Sequence, residues 1–170
     1  MARTTSSDHV ALAASVNDAL VDAGATVATA ESLTGGQLAV LLTTAPGASR
    51  SYLGGVVSYA TEVKTEVLGV PTSLVEEHGV VSAACARAMA EGARRLIGAT
   101  YAVSTTGVAG PEPQEDKPPG TVFVAVAGPG GVTALSLELT GDRAAIQQRT
   151  CGEALTALAE VLRQEETPLR

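Results

Sequence analysis

Helix-like and strand-like segments alternate along this chain, and only once do two strands follow one another directly. TVATAE (26–31), a stretch near 55–60 and TYAVSTT (100–106) read as strands, each bounded by turn residues. TVFVAVA (121–127) and VTALSLEL (132–139) are joined by Gly128-Pro129-Gly130-Gly131, which predicts a hairpin. Helical segments fill the intervals. Asp8 caps one that reaches Ala23, and QLAVLLTTA stops at Pro46-Gly47. Short helices run from Thr61 to Gly69 and from Pro71 to His78. Ser82 caps an Ala-rich helix ending at Ile97, and the last helix spans 142–163. This order predicts a three-layer α/β/α sandwich around a mixed β-sheet. It forms a single domain over 8–164, between a disordered tail at 1–7 and a polar tail at 165–170.

With no Trp, three Tyr and one Phe, the core has to be built from Val, Leu, Ile and Ala. The same scarcity removes the stacking platforms that single-stranded nucleic acid requires. A net charge of −7 disfavours broad contact with a phosphate backbone, so no nucleic-acid partner is expected. No apolar run approaches the ~18 residues of a membrane span, and MARTTSSDHV lacks the apolar centre of a signal peptide. Cys85 and Cys151 show no CxxC or Cys/His spacing, and His9 and His78 have no suitable partners nearby in sequence. The expectation is a cytoplasmic protein with free thiols, no metal and no cofactor.

The chain is biased toward Arg: of eleven basic residues only Lys64 and Lys117 are lysine. Arg stays protonated, whereas a desolvated Lys can lose its proton and act as a base. Composition alone makes Lys64 a solvated helix residue. Its place after VVSYA, at a strand-to-helix turn beside Tyr59, makes it a candidate base. Hydroxyls and glycines gather at other strand ends, where ligands bind in open α/β sheets. Ser32 and the turn Thr34-Gly35-Gly36 follow the first strand. Ser49 lies in GASRS, and Thr106-Gly107 opens TTGVAGP. Taken alone, each also reads as an ordinary turn or cap. Arg143 opens the last helix as a candidate anion clamp or a surface salt bridge.

Six segments in order, TAESLTGG, GASRSYLGGVVSYATEVK, GVVS (79–82), TTGVAGP, KPPGTVFVAVA and TGDR, resemble the CinA C-terminal domain family from about Val10 to Arg163. The resemblance implies a metal-free amidohydrolase acting on the carboxamide of nicotinamide mononucleotide (NMN). Its products are nicotinic acid mononucleotide and ammonia. It implies Ser49 as nucleophile, Lys64 as its base and Tyr59 as an aid to proton transfer. Ser32, Thr34, Gly35, Gly36, Thr106 and Gly107 would line the substrate site, with Arg143 on the phosphate. Leu33 stands where the family usually has Cys, TTGVAGP replaces SGIAGP, and EPQEDKPPG is less glycine-rich than usual. A non-catalytic nucleotide-binding or regulatory module, or an amidase for another small amide, are the competing readings.

One geometric condition accompanies the Ser49–Lys64 pair. If Tyr52–Ala60 were one extended strand it would hold the two apart by ~30 Å. Either residues 49–53 form a helical turn that doubles back at Gly54-Gly55, or Ser49 comes from a neighbouring subunit of a homodimer or higher homo-oligomer.

Overall fold

The computed structural model describes residues 6–166. A five-stranded sheet has the order β2-β1-β3-β4-β5, formed by β1 (Val27–Glu31), β2 (Tyr52–Val57), β3 (Tyr101–Gly107), β4 (Thr121–Gly128) and β5 (Gly131–Glu138). β2, β1 and β3 run parallel, whereas β3, β4 and β5 are antiparallel. The predicted mixed sheet is therefore present, with the hairpin closing at the Gly128–Gly131 pair. The helices are α1 (Ser6–Asp22), α2 (Gln37–Thr44), α3 (Thr61–Glu66), α4 (Thr72–His78), α5 (Ala83–Ile97) and α6 (Arg143–Glu166). Both terminal helices are longer than expected. Ser6, Ser7, Glu165 and Glu166 are helical, and the rest of the two expected tails lies outside the described residues.

Strand alternation decides what each face can pack against. Val27, Val103, Val122, Val124 and Val126 point to one face, where they meet α1, α2 and α6 through Leu20, Leu38, Leu42, Leu155 and Leu158. The opposite face is paved with alanine. Ala28, Ala30 and Ala102 pack with Cys85, Met89 and Ala93 of α5, and Ala125 and Ala127 with Ala86 and Ala90. Small side chains on both surfaces let α5 approach the sheet closely. The same tightness appears at Gly92, where an added Cβ would lie 2.0 Å from the Leu68 carbonyl oxygen.

β2 differs from the expected strand at 55–60. It starts earlier and continues through Gly54 and Gly55, with a bulge at Leu53 where the pairing steps from Tyr52 to Gly54. At Gly55 a Cβ would overlap Thr29 Oγ1, which shares a 2.8 Å hydrogen bond with the Tyr52 hydroxyl. The glycine therefore admits a hydrogen bond above the strand and is not a pivot. Residues 48–50 form a single 3₁₀ turn ahead of β2, and no reversal brings residue 49 back along the strand.

The topology also marks a crevice. α2 leaves β1 on the valine face, whereas the chain leaving β2 enters the alanine face through α3 and α5. Adjacent parallel strands whose connections part to opposite faces open a cleft at their carboxyl ends.

Gly92→Ala is expected to cost about 1–3 kcal/mol through overpacking, against a helix-propensity gain of ~1 kcal/mol. The urea midpoint should fall, with the slope of the transition unchanged.

Candidate active site

At the carboxyl ends of β1 and β2, Lys64 is buried to 1 % exposure. Its Nζ donates to the Ser58 carbonyl at 2.6 Å, to Ser32 Oγ at 3.0 Å and to the Tyr59 carbonyl at 3.4 Å. Among the described residues no carboxylate forms a salt bridge with it. Burial holds its pKa below the usual lysine range, and the charges of Cys85, Glu115 and Glu62 only partly oppose this. Desolvation is thus the larger cause. The helix dipole does not contribute to the lowering, since Lys64 sits in the last turn of the six-residue α3, where a dipole favours a cation. A neutral amine in this position can donate to the two carbonyls and accept from the serine hydroxyl.

Ser32 is held from several directions. Its amide donates to the Thr105 carbonyl at 2.9 Å, continuing the β1–β3 ladder one residue past β1. The preceding residue, Glu31, is 1 % exposed and points to the other face. There its carboxylate accepts from Thr34 Oγ1 at 2.6 Å, Leu38 N at 2.8 Å and Ala39 N at 3.0 Å, at the start of α2. Thr105 Oγ1 lies 2.8 Å from Thr34 Oγ1. Gln147 Nε2 of α6 donates to the Leu33 carbonyl at 2.8 Å. By strand alternation, fixing Glu31 on the valine face turns Ser32 toward Lys64.

Ser49 is elsewhere. It is exposed in the 3₁₀ turn before β2, whose first residue pairs with Val27, whereas Lys64 lies beyond the end that pairs with Glu31. The six residues of β2 separate the two by ~20 Å at 3.3 Å each. The expected Ser49–Lys64 pair is therefore corrected: within one chain it cannot form, and Ser32 occupies the place beside the lysine.

A cleft of about 430 Å³ opens over this pair. Ser32, Tyr59, Lys64, Thr106, Gly107 and Arg143 of the expected set line it. Thr34, Gly35 and Gly36 do not. Thr34 is buried with its hydroxyl on Glu31, and the two glycines border a separate cavity with His9 and Val40. The Tyr59 hydroxyl is taken by Arg143, whose Nη2 donates to it at 2.8 Å while Nη1 donates to the Gly110 carbonyl at 2.7 Å. Arg143 thus spans the mouth of the cleft. Thr106 turns its hydroxyl onto the Val80 carbonyl at 2.7 Å. Val108 N donates to Thr121 O, so the parity of the β3–β4 ladder turns the Gly107 amide the other way, past the end of β1.

Sequence reasoning missed Glu31, an acidic residue inside an apolar strand, and the Val80–Val81 and Ala109–Gln114 walls of the cleft. Burial pushes the Cys85 thiol up to about 11 and the Cys151 thiol up to about 12, so both are unreactive at neutral pH. Among the described residues, no three His, Cys, Asp or Glu side chains gather as metal ligands, and no helix is long and apolar enough to cross a membrane.

Fold and cleft together define a three-layer α/β domain with an open cleft at the carboxyl ends of its parallel strands. The chain belongs to the CinA C-terminal domain family, which it matches over residues 9–162. A CinA-like protein of Frankia casuarinae is 52% identical over 143 residues, covering 84% of this chain and 33% of that protein. The chain thus spans about a third of the length of the curated relatives it matches. A CinA superfamily protein from Klebsiella pneumoniae 700603 superposes with a TM-score of 0.89 at 36% identity, covering 92% of this chain and 98% of that one. The competence/damage inducible protein CihA from Agrobacterium tumefaciens gives 0.88 at 34% identity, covering 96% and 99%.

The depressed pKa of Lys64 links stability to pH. Below its folded pKa both states carry the proton, and the cost of burying charge is fully present. As pH rises toward the unfolded value near 10.4, the folded state has already lost the proton and that cost fades. The stability of the wild type relative to Lys64→Met should therefore increase as pH is raised from 7 to 10. Chemical denaturation across that range measures it.

Proposed function

We propose that this protein is an amidohydrolase that cleaves the carboxamide of NMN, with Ser32 as nucleophile and Lys64 as general base. The observation that carries the reading is a buried lysine, in no salt bridge among the described residues, with its amine on a serine hydroxyl in an open cleft. Free serine is a weak nucleophile and needs such a base near pH 7.

Neutral Lys64 takes the Ser32 proton as Oγ forms a bond to the carboxamide carbon. The oxyanion is met by backbone N–H, for which the outward-facing Gly107 amide is suited. Collapse breaks the C–N bond, and protonated Lys64 returns its proton to the leaving nitrogen, releasing ammonia. Water, deprotonated by Lys64, then attacks the ester carbon; as the C–Oγ bond breaks, Lys64 returns the proton to Ser32 Oγ, giving nicotinic acid mononucleotide and the starting enzyme. Arg143, exposed at the mouth, supplies the planar fork that suits a phosphate. Binding there would exchange its contacts with Tyr59 and Gly110 for phosphate oxygens. Tyr59 acts at this rim, and its carbonyl helps hold the Lys64 amine.

Ammonia release from NMN tests the reading. Ser32→Ala and Lys64→Ala should each lose activity by about 10²–10⁴-fold, while Ser49→Ala stays near wild type. Arg143→Ala should raise KM about tenfold with kcat little changed, the mark of lost ground-state binding. No ammonia from the wild type rejects the substrate, and an active Lys64→Ala rejects the base. In wild type, kcat/KM should fall as pH drops through the lowered Lys64 pKa, since only the neutral amine accepts a proton.

A further inference from the structure

The proposed chemistry leaves Glu115 without a role, yet the chain around it is held in an unfavourable shape. Gln114 and Lys117 form a two-residue hairpin: Gln114 N donates to Lys117 O at 3.1 Å and Lys117 N to Gln114 O at 2.9 Å. Between them Glu115 and Asp116 have φ of 51° and 59°. Two successive left-handed residues mark a type I′ turn, for which Asn-Gly or Asp-Gly is the usual choice. Glu-Asp brings two Cβ atoms into a region that disfavours them. Among the described residues, these are the non-glycine positions with positive φ. Such conformations persist only where the surroundings over-determine them.

Here the holding contact is a carboxylate. Glu115 Oε2 accepts from Val80 N at 2.9 Å and Oε1 from Val81 N at 2.7 Å. Gly79 leaves room for it, since a Cβ there would come within 2.5 Å of the same carboxylate. The Val80 carbonyl is meanwhile held by Thr106 Oγ1 from β3. Both partners of the Glu115 contact adjoin the cleft: Val80 and Val81 line it, and so do Glu112, Pro113 and Gln114. Glu115 itself does not line it.

We propose that Glu115 is a positioning residue, latching the Gln114–Lys117 hairpin onto the Val80 and Val81 amides and so presetting the outer wall of the substrate cleft. The kinetic part of this proposal rests on the amidohydrolase reading. Two charge-assisted hydrogen bonds offset the poor turn. A wall ordered in advance spares the substrate the cost of ordering it on binding. The latch therefore acts on ground-state affinity, and the Glu115 charge, which partly opposes the lowered pKa of Lys64, leaves kcat unaffected at a pH where that amine is already neutral.

Hydrogen exchange and steady-state kinetics on Glu115→Ala and Glu115→Gln test it in the full chain. In Glu115→Ala the Val80 and Val81 amides should exchange faster, and KM for NMN should rise roughly tenfold with kcat within about twofold. Glu115→Gln should fall between, because its amide oxygen can still accept one bond while its NH₂ opposes the other donor. Unchanged exchange at Val80 and Val81 in Glu115→Ala overturns the latch. Faster exchange with unchanged KM, or a fall in kcat alone that follows lost folded protein, overturns its role at the cleft. If wild type releases no ammonia from NMN, the deamidase reading fails by itself, and the exchange result still decides the latch.

Discussion

The carboxylate of Glu31 is sealed between β1 and the start of α2, and the arrangement of the cleft follows from how it is satisfied. An ionised carboxylate out of water is costly unless donors surround it. Thr34 and the amides of Leu38 and Ala39 do so here. To bring them, the chain must curl back immediately after β1 and begin α2 on the valine face. Ser32, the next residue, is then committed by strand alternation to the opposite face. A structural requirement at one residue thus aims the hydroxyl at its neighbour.

That opposite face explains the state of the lysine. Alanines on the sheet and on α5 bring the helix close, and Lys64 enters the same dense layer from the end of β2. Little water remains to solvate an ammonium, and among the described residues no carboxylate forms a salt bridge with it. Two backbone carbonyls and a serine hydroxyl are satisfactory partners for a neutral amine and meagre ones for a charge. The close packing of small residues on this face therefore also lowers the basicity of Lys64.

Much of the architecture was legible in the order of the segments. Glycine and proline punctuation located every helix and strand within a few residues, and the GPGG turn gave the antiparallel pair. The errors have physical causes. Gly54-Gly55 read as a pivot because a Ser49–Lys64 pair within one chain required the strand to double back, but Gly55 is there to admit the Thr29–Tyr52 hydrogen bond. Thr34, Gly35 and Gly36 read as ligand-facing because they follow a strand. The demand of Glu31 turns Thr34 inward, and the two glycines face a different cavity.

What the sequence determined by itself was the alternating α/β pattern, the family motifs and Lys64 as a rare lysine at a strand end. Which serine it meets was decided by tertiary structure alone. Ser32 and Ser49 both lie in small-residue turns beside β-strands, and along the chain Ser49 is the nearer to Lys64. Parallel pairing of β1 with β2 reverses that order in space. It sets the ends of the two strands side by side, joining Ser32 to Lys64 and leaving Ser49 at the far end of β2. Register between strands distant in sequence is a property of the assembled sheet, and no local pattern records it.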